Sequence, residues 1–350
     1  MINIATGIKL VFPDTYGMCF TIFILLPILL LWRAKLAQNI KDFTFTKDKS
    51  DQLKGLFILI VILHHISQRL QCNKSCMIFF KDAGYLAVGM FFFISGFGLM
   101  KSLIIKENYL DDFFKRRILR IYFPFIIVNI LTLLVLYLKG ENISLENAIQ
   151  YIVGIKLIDS TLWFIVAITL FYFFFYIIYS QIKKLNHAHI LLVVGTLLYI
   201  LFCKITHQGG WKFVSIFCFP LGILYAWREK RINSLIYKNY FLYLISAFAV
   251  FLISFVLRKT NILFGWHYLS SIFFSIFIVL LALKMNLNSS FFKLCGIFSL
   301  ELYLLHIKVL HLWQKLIINS GLWLILYLGT LLFFSFIFRQ FYLFLYKKIV

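Results

Sequence analysis

The stretch Asp51-Gln-Leu-Lys54-Gly-Leu-Phe-Ile-Leu-Ile-Val-Ile-Leu-His64-His65 sets a basic residue ahead of nine uncharged residues and a histidine pair. It reads as a helix entering lipid with its polar groups carried inside the apolar run. Ionisable groups within such a helix are costly and ordinarily face a cavity or a partner, so they mark function. At 1.5 Å of rise per residue, the step from Lys54 to His65 lifts the imidazole by roughly 16 Å, about half the hydrocarbon thickness. The cation stays at one interface while the ring sits near the midplane.

The rest of the chain agrees with this reading. Of its 350 residues, 62% are hydrophobic, 19% aromatic and 14% charged, against about 25% charged in ordinary soluble proteins. Mean hydropathy is +0.92. The expected fold class is all-α, a polytopic transmembrane bundle. Apolar runs of about 20 residues exclude a barrel of alternating strands about ten residues long. About eleven spans are expected, near 11–32, 53–70, 85–101, 118–138, 161–180, 188–205, 212–228, 239–257, 264–283, 292–312 and 321–346. The first run lacks a basic leader and is followed by Arg33 and Lys35, as in a retained anchor rather than a cleaved signal.

A net charge of +22 invites a nucleic-acid reading, but Lys and Arg mark cytoplasmic loops in membrane proteins, and no nucleic-acid partner is expected. Roughly two thirds of the 35 basic residues fall in one set of alternate loops, which puts the N-terminus outside and the C-terminus in the cytoplasm. Cys19, Cys203, Cys218 and Cys295 fall in expected spans as small packing residues. Cys72 and Cys76 share an outer loop and are open to pairing. No Cys/His spacing resembles a zinc site, so no metal is expected.

Three further clusters carry chemistry. In Phe91-Phe-Phe-Ile-Ser95-Gly96-Phe97-Gly98, serine and glycine interrupt a bulky helix; close helix packing accounts for such small residues as readily as function does. In Phe113-Phe-Lys115-Arg116-Arg117-Ile-Leu-Arg120-Ile-Tyr-Phe-Pro124, a topogenic basic cluster competes with a functional alternative. Arg117 and Arg120, three apart, share a helix face that suits phosphate. In Ser299-Leu-Glu301-Leu-Tyr303-Leu-Leu-His306, a carboxylate two turns into the membrane needs a cation, an arginine of the basic cluster at 113–124 being one choice. His306 reaches a depth like that of His65. Trp163, Trp266 and His267 lie toward the outside, beside the loop ending at Asp159. Cations therefore sit at the cytoplasmic edge, histidines and Ser95 near the middle, and aromatics outside.

Together these clusters resemble the membrane acyltransferase 3 family, integral-membrane O-acyltransferases that modify bacterial surface glycans. Lys54 to His65 keeps the family's Arg–ten residues–His spacing, with Lys for Arg. Phe92-Phe-Ile-Ser95-Gly96-Phe97 resembles its Phe-Phe-x-x-Ser-Gly-Phe element with one residue fewer. Arg116, Arg117 and Arg120 match its Arg-Arg-x-x-Arg segment, and Ser299 to His306 its late Ser-x-x-x-Tyr-Leu-x-His element. Leu162-Trp163-Phe164 and Phe219-Pro220-Leu221-Gly222 are similar to weaker landmarks. The likeness runs from about 48 to 345. It leaves residues 1–47 as an added N-terminal helix with a basic loop, ahead of a ten-helix acyltransferase domain at 48–350.

The resemblance implies an acyl-CoA donor, most often acetyl-CoA, with no permanently bound cofactor. The acceptor it implies is a hydroxyl of a glycan or lipid-linked saccharide, in the plasma membrane of a bacterium. His65 is the candidate base or acyl relay, since imidazole titrates near working pH. His64 competes for the role because adjacent helical residues point about 100° apart. Glu301 and His306 would orient the base or hold the acceptor. Lys54, Arg116, Arg117 and Arg120 would hold the CoA phosphates, Ser95 the acyl carbonyl, and Trp163 and His267 the acceptor. A polysaccharide transporter or polymerase of the cell envelope is the competing class; it explains the spans and basic loops but not the order and spacing of the clusters.

Overall fold

A chain dominated by apolar runs satisfies its backbone in lipid by forming helices. The computed structural model describes residues 3–39, 43–71, 76–260, 265–316 and 319–349. Strand β1 (Leu10–Val11) precedes α1 (Tyr16–Phe20), a π-helical turn at Thr21–Leu25 and α2 (Leu26–Leu31). Then come β2 (Lys35–Leu36), α3 (Lys47–Arg69), β3 (Leu70–Gln71), a 3-10 turn at Cys76–Phe80 and α4 (Gly84–Ile105). A π-helical entry, Phe114–Leu119, runs into α5 (Arg120–Leu138), followed by the short α6 (Leu145–Ile152). A 3-10 turn at Ser160–Leu162 opens α7 (Trp163–Gln181), and α8 (Leu185–Ile205) follows. After another 3-10 turn, Gly210–Lys212, come α9 (Cys218–Lys238), α10 (Tyr240–Leu257) and α11 (Trp266–Lys284). The chain closes with β4 (Met285–Asn286), α12 (Ser290–Ile297), α13 (Ser299–Trp313) and α14 (Ser320–Ile349). The strands only stitch termini: β1 pairs parallel with β3, and β2 antiparallel with β4.

Among the described residues, seven helices are long and apolar enough to cross a membrane, or eight if α12 and α13 count as one span. Several of the eleven expected segments fall short of that length-and-composition test for local reasons. The expected span 292–312 bends by 80° between α12 and α13. The segment expected at 53–70 starts six residues early and carries Lys47, Asp48, Lys49, Asp51 and Lys54 in its first turns. Its start is fixed by Thr46, whose side chain accepts from the Lys49 N–H, with Asp48 at the positive helix end. The first apolar run is shortened to Tyr16–Leu31. Helix α9 begins six residues later than the expected 212 and is kinked at Arg228 (φ −105°, ψ 17°).

Two glycine pairs bring helices into backbone contact around the site. A Cβ on Gly55 would lie 1.8 Å from the Phe292 carbonyl oxygen, and one on Gly296 1.7 Å from that of Asp51. This welds α3 to α12 just where Lys54 projects. Likewise a Cβ on Gly96 would meet the Phe219 carbonyl oxygen at 2.2 Å, and one on Gly222 that of Phe93 at 2.1 Å. The Ser95-Gly96 element thus packs on Phe219-Pro220-Leu221-Gly222, so its glycine serves close approach.

The cysteine pairing corrects the expectation. Cys19 joins Cys76 in a disulfide, with Cα atoms 6.2 Å apart, so Cys19 is a covalent tie rather than a packing residue. Cys72, the partner considered for Cys76, lies outside the described residues. The bond fastens α1 to the turn that precedes α4.

Candidate active site

Helices α3 and α13 each carry a histidine inward, and the two rings meet. His65 and His306 stack with centroids 5.0 Å apart and planes 29° apart. The His306 Nδ1 lies 2.7 Å from the Tyr303 carbonyl oxygen. A carbonyl only accepts, so Nδ1 carries the proton and the neutral ring presents a bare lone pair at Nε2. That Nε2 is buried without a hydrogen-bond partner among the described residues, as is the Nδ1 of His65. The Tyr327 hydroxyl donates to the His306 carbonyl at 2.9 Å, holding the helix. His64 is tied differently. Its Nδ1 donates to the Phe80 carbonyl at 2.9 Å, and its ring fills the space that a side chain on Gly84 would take.

His65 opens onto one cavity, and a second cavity adjoins that one. A cavity of about 370 Å³ is lined by His64, His65, Arg69, Trp163, Trp211 and Tyr303, among others. A narrower, mostly apolar slot of about 180 Å³ runs past Lys54, Ser95, Phe164 and Ser299. Val61, Val88 and Tyr303 line both. The Tyr303 hydroxyl donates to the Thr161 carbonyl and its ring stands edge-on to Phe164, 5.9 Å between centroids. A polar chamber holding imidazoles thus adjoins an apolar slot with a cation at its far end. An apolar cleft with a few convergent polar groups is the ordinary form of a small-molecule site.

The structure places His65 and Trp163 in the chamber wall and Lys54 and Ser95 in the slot wall, while His306 lines neither cavity and reaches the chamber only through its stack on His65. Lys54 pairs with Asp51 at 2.9 Å. The remaining candidates lie elsewhere. Arg116 pairs with Asp112 at 2.7 Å on the surface. Arg117 donates to the Tyr109 hydroxyl at 2.6 Å and to Ser102 at 2.9 Å. Arg120 is exposed and acts on Glu301 through space. Glu301 accepts from the Tyr342 hydroxyl at 2.5 Å and has Arg339 at 3.8 Å. Its nearest cation therefore comes from α14 rather than from the basic cluster at 113–124. Five positions along a helix turn Glu301 about 140° away from His306, and it lines neither cavity. His267 lies beyond the chamber, edge-on to Tyr85 at 6.0 Å.

Three participants escaped the sequence reading. Asp159, fully buried, pairs with Lys308 at 2.5 Å and accepts from the Thr161 backbone and hydroxyl. Burial alone would push its carboxyl up, but the Lys308 ammonium, with His306 and Thr161, holds it below the ordinary value. Lys308, a cation two residues past His306 in an apolar run, was the available signal. Arg69, at the end of α3, donates to the His65 carbonyl at 2.8 Å and to that of Ala5 at 2.9 Å. Its Nε is buried without a partner among the described residues, beside the imidazoles. Trp211 gave no signal, standing in a loop with no periodicity.

A helical membrane bundle with stacked imidazoles beside a polar chamber, and an apolar slot adjoining that chamber, has the parts of a membrane acyl-transfer protein. A family model described as an acyltransferase domain matches residues 48–339, and the chain belongs to that acyltransferase 3 family. Searches of curated proteins and of solved structures found no match.

Proposed function

We propose that the protein transfers an acyl group, acetyl by preference, from cytoplasmic acyl-CoA to a hydroxyl of a cell-envelope or exported polysaccharide. The stacked His65–His306 pair, with His65 in the wall of a polar chamber that adjoins the apolar slot, carries this reading. The donor enters with its phosphates at Lys54, Arg116, Arg117 and Arg120. Surface ion pairs such as Arg116–Asp112 are weak, so a phosphate competes for the cation. Its arm follows the slot past Ser95 and brings the thioester toward Tyr303. The acceptor hydroxyl sits in the chamber, where His65 takes its proton as the oxygen attacks the thioester carbon. His306 stacks on that ring, and the Arg69 cation faces the charge that develops on the carbonyl oxygen. Collapse breaks the carbon–sulfur bond. The thiolate takes up the proton, leaving an ester and free CoA.

The basic-loop asymmetry supports a bacterial plasma-membrane protein with N-terminus outside and C-terminus in the cytoplasm. The Cys19–Cys76 bond supports the same orientation, because disulfides persist in oxidising compartments. Residues 1–47 are then an added anchor on the transferase domain. The test uses the purified full chain in lipid nanodiscs with labelled acetyl-CoA and polysaccharide from the source cells. Label moving to the glycan, and lost in His65→Ala, is the expected result. Glycan bound without donor turnover would instead favour a transporter.

A further inference from the structure

Beyond the histidine chamber lies a second, larger cavity of about 690 Å³, lined by Asp82, Tyr85, Trp211, Arg258, His267 and Tyr268, among others. Asp82, Tyr85 and Trp211 line both. Trp211 therefore stands at the threshold between them, with 58% of its surface exposed. A tryptophan near a membrane interface ordinarily anchors in lipid headgroups. This one faces two cavities, and its placement is held. A Cβ on Gly209 would fall 2.2 Å from the indole ring, so the ring rests directly on backbone. On the flank of the turn, the Lys212 ammonium donates to Gln208 at 2.6 Å.

Across the cavity Tyr268 is fixed by Phe213 and Phe217, with ring centroids 6.4 Å and 5.7 Å away. Its hydroxyl is buried without a hydrogen-bond partner among the described residues. The Tyr268 side chain lines the cavity opposite Trp211 and adds a second aromatic ring to its wall. The wall also offers the Asp82–Arg258 pair at 2.6 Å. Flat aromatic faces attract the C–H edges of a sugar ring, while the polar groups between them match its hydroxyls.

We infer that the outer cavity is an extended acceptor subsite for a saccharide chain, with Trp211 as its platform. One sugar occupies the histidine chamber and its neighbours in the chain run outward over the indole. The inference rests on the transferase reading and adds where the part of the chain beyond the reacting sugar is held.

The test compares wild type, Trp211→Ala, Trp211→Phe and Gly209→Ala as full chains in nanodiscs. Acceptors are the source cells' own polysaccharide and fragments of it sorted into single sugars and longer chains. Two readings are taken: KM for transfer from acetyl-CoA, and equilibrium binding of labelled long chains without donor. Trp211→Ala should raise KM for long chains by about tenfold, the scale expected for truncating an anchoring aromatic, and single sugars should show a smaller penalty. Trp211→Phe should recover part of the loss. Gly209→Ala, which keeps the ring but displaces it, should reproduce the defect. Equal KM values and equal binding across all four proteins would overturn the subsite even with transfer intact. Weakened long-chain binding in the Trp211→Ala and Gly209→Ala variants, beside a wild type that binds but transfers nothing, would retain the subsite and dismiss the transferase. Absence of both binding and transfer in wild type would dismiss both.

Discussion

The imidazoles of His65 and His306 lie nearly parallel, 5.0 Å between centroids, on helices from opposite ends of the chain. Each ring keeps one buried nitrogen without a partner among the described residues, and Arg69 donates to the carbonyl of His65. Like charges at that separation repel strongly in a dry interior. The pair therefore resists carrying two positive charges at once, which fits the single base proposed for the transfer.

His65→Ala should lower kcat for acyl transfer by about 10²–10⁴-fold, the usual contribution of a positioned base. His306→Ala should fall in the same range, and the double variant should be little worse than the worse single one, as for residues acting as a unit. His64, tied to Phe80 and wedged against Gly84, should cost less than about tenfold when replaced by alanine. Steady-state assays decide it; an inactive His64→Ala beside a working His65→Ala would move the base one residue along the helix.

Much of this arrangement was legible in the chain because depth in a membrane follows directly from residue count along a helix. Lys54, His65 and His306 could be ranked by rise alone, and the two histidines do meet. What could not be read was azimuth. Glu301 shares a helix with His306 but faces α14, and the cation near it is Arg339. Partners supplied by loops were equally hidden. Asp159 appeared as one acid of a connecting loop, yet the loop folds inward and buries it against Lys308. The Cys19–Cys76 bond spans 57 positions, a pairing that no local spacing signals. Nor do length and hydropathy reveal a bend such as that between α12 and α13.

The Asp159–Lys308 pair should make stability depend on acid. The Asp159 carboxyl is held below its ordinary value in the fold. The unfolded chain therefore binds its proton first as pH falls, from about 3.9. The pair's contribution is complete above that value and disappears as pH drops through the native one. Lys308→Met strands a buried carboxylate and should destabilise by about 3–5 kcal/mol at neutral pH. Adding Asp159→Asn should recover much of that and flatten the acid limb. Thermal unfolding in nanodiscs from neutral to acidic pH gives the comparison; an unchanged midpoint in Lys308→Met would show that the pair is not formed.

Close approach of α4 and α9 should be intolerant of even one methyl group. Gly96→Ala drives a Cβ to 2.2 Å from the Phe219 carbonyl oxygen, a clash that only a helix shift relieves. Overpacking of this kind costs about 1–3 kcal/mol. Because Ser95 is adjacent, the variant should lose donor affinity as well as thermal stability, measurable as a raised KM for acetyl-CoA. Gly98→Ala, on the same helix with open space around it, is the control and should leave the melting temperature within a degree or two of wild type, about 0.5 kcal/mol.

The disulfide offers a direct reading of orientation. Cys19 and Cys76 tie α1 to the turn ahead of α4, and Phe80 at the end of that turn holds His64. With the N-terminus outside, both sulfurs face the oxidising side, where such a bond persists. In intact cells the wild type should resist a membrane-impermeant maleimide at Cys76 until it is reduced, while Cys19→Ser should label at Cys76 without reduction. Loss of the tie should also loosen the outer wall of the chamber and lower thermal stability by about 2–4 kcal/mol. Labelling of Cys76 only after the cells are opened would place this turn in the cytoplasm. The sides proposed for donor and acceptor would then have to be exchanged between the slot and the chamber.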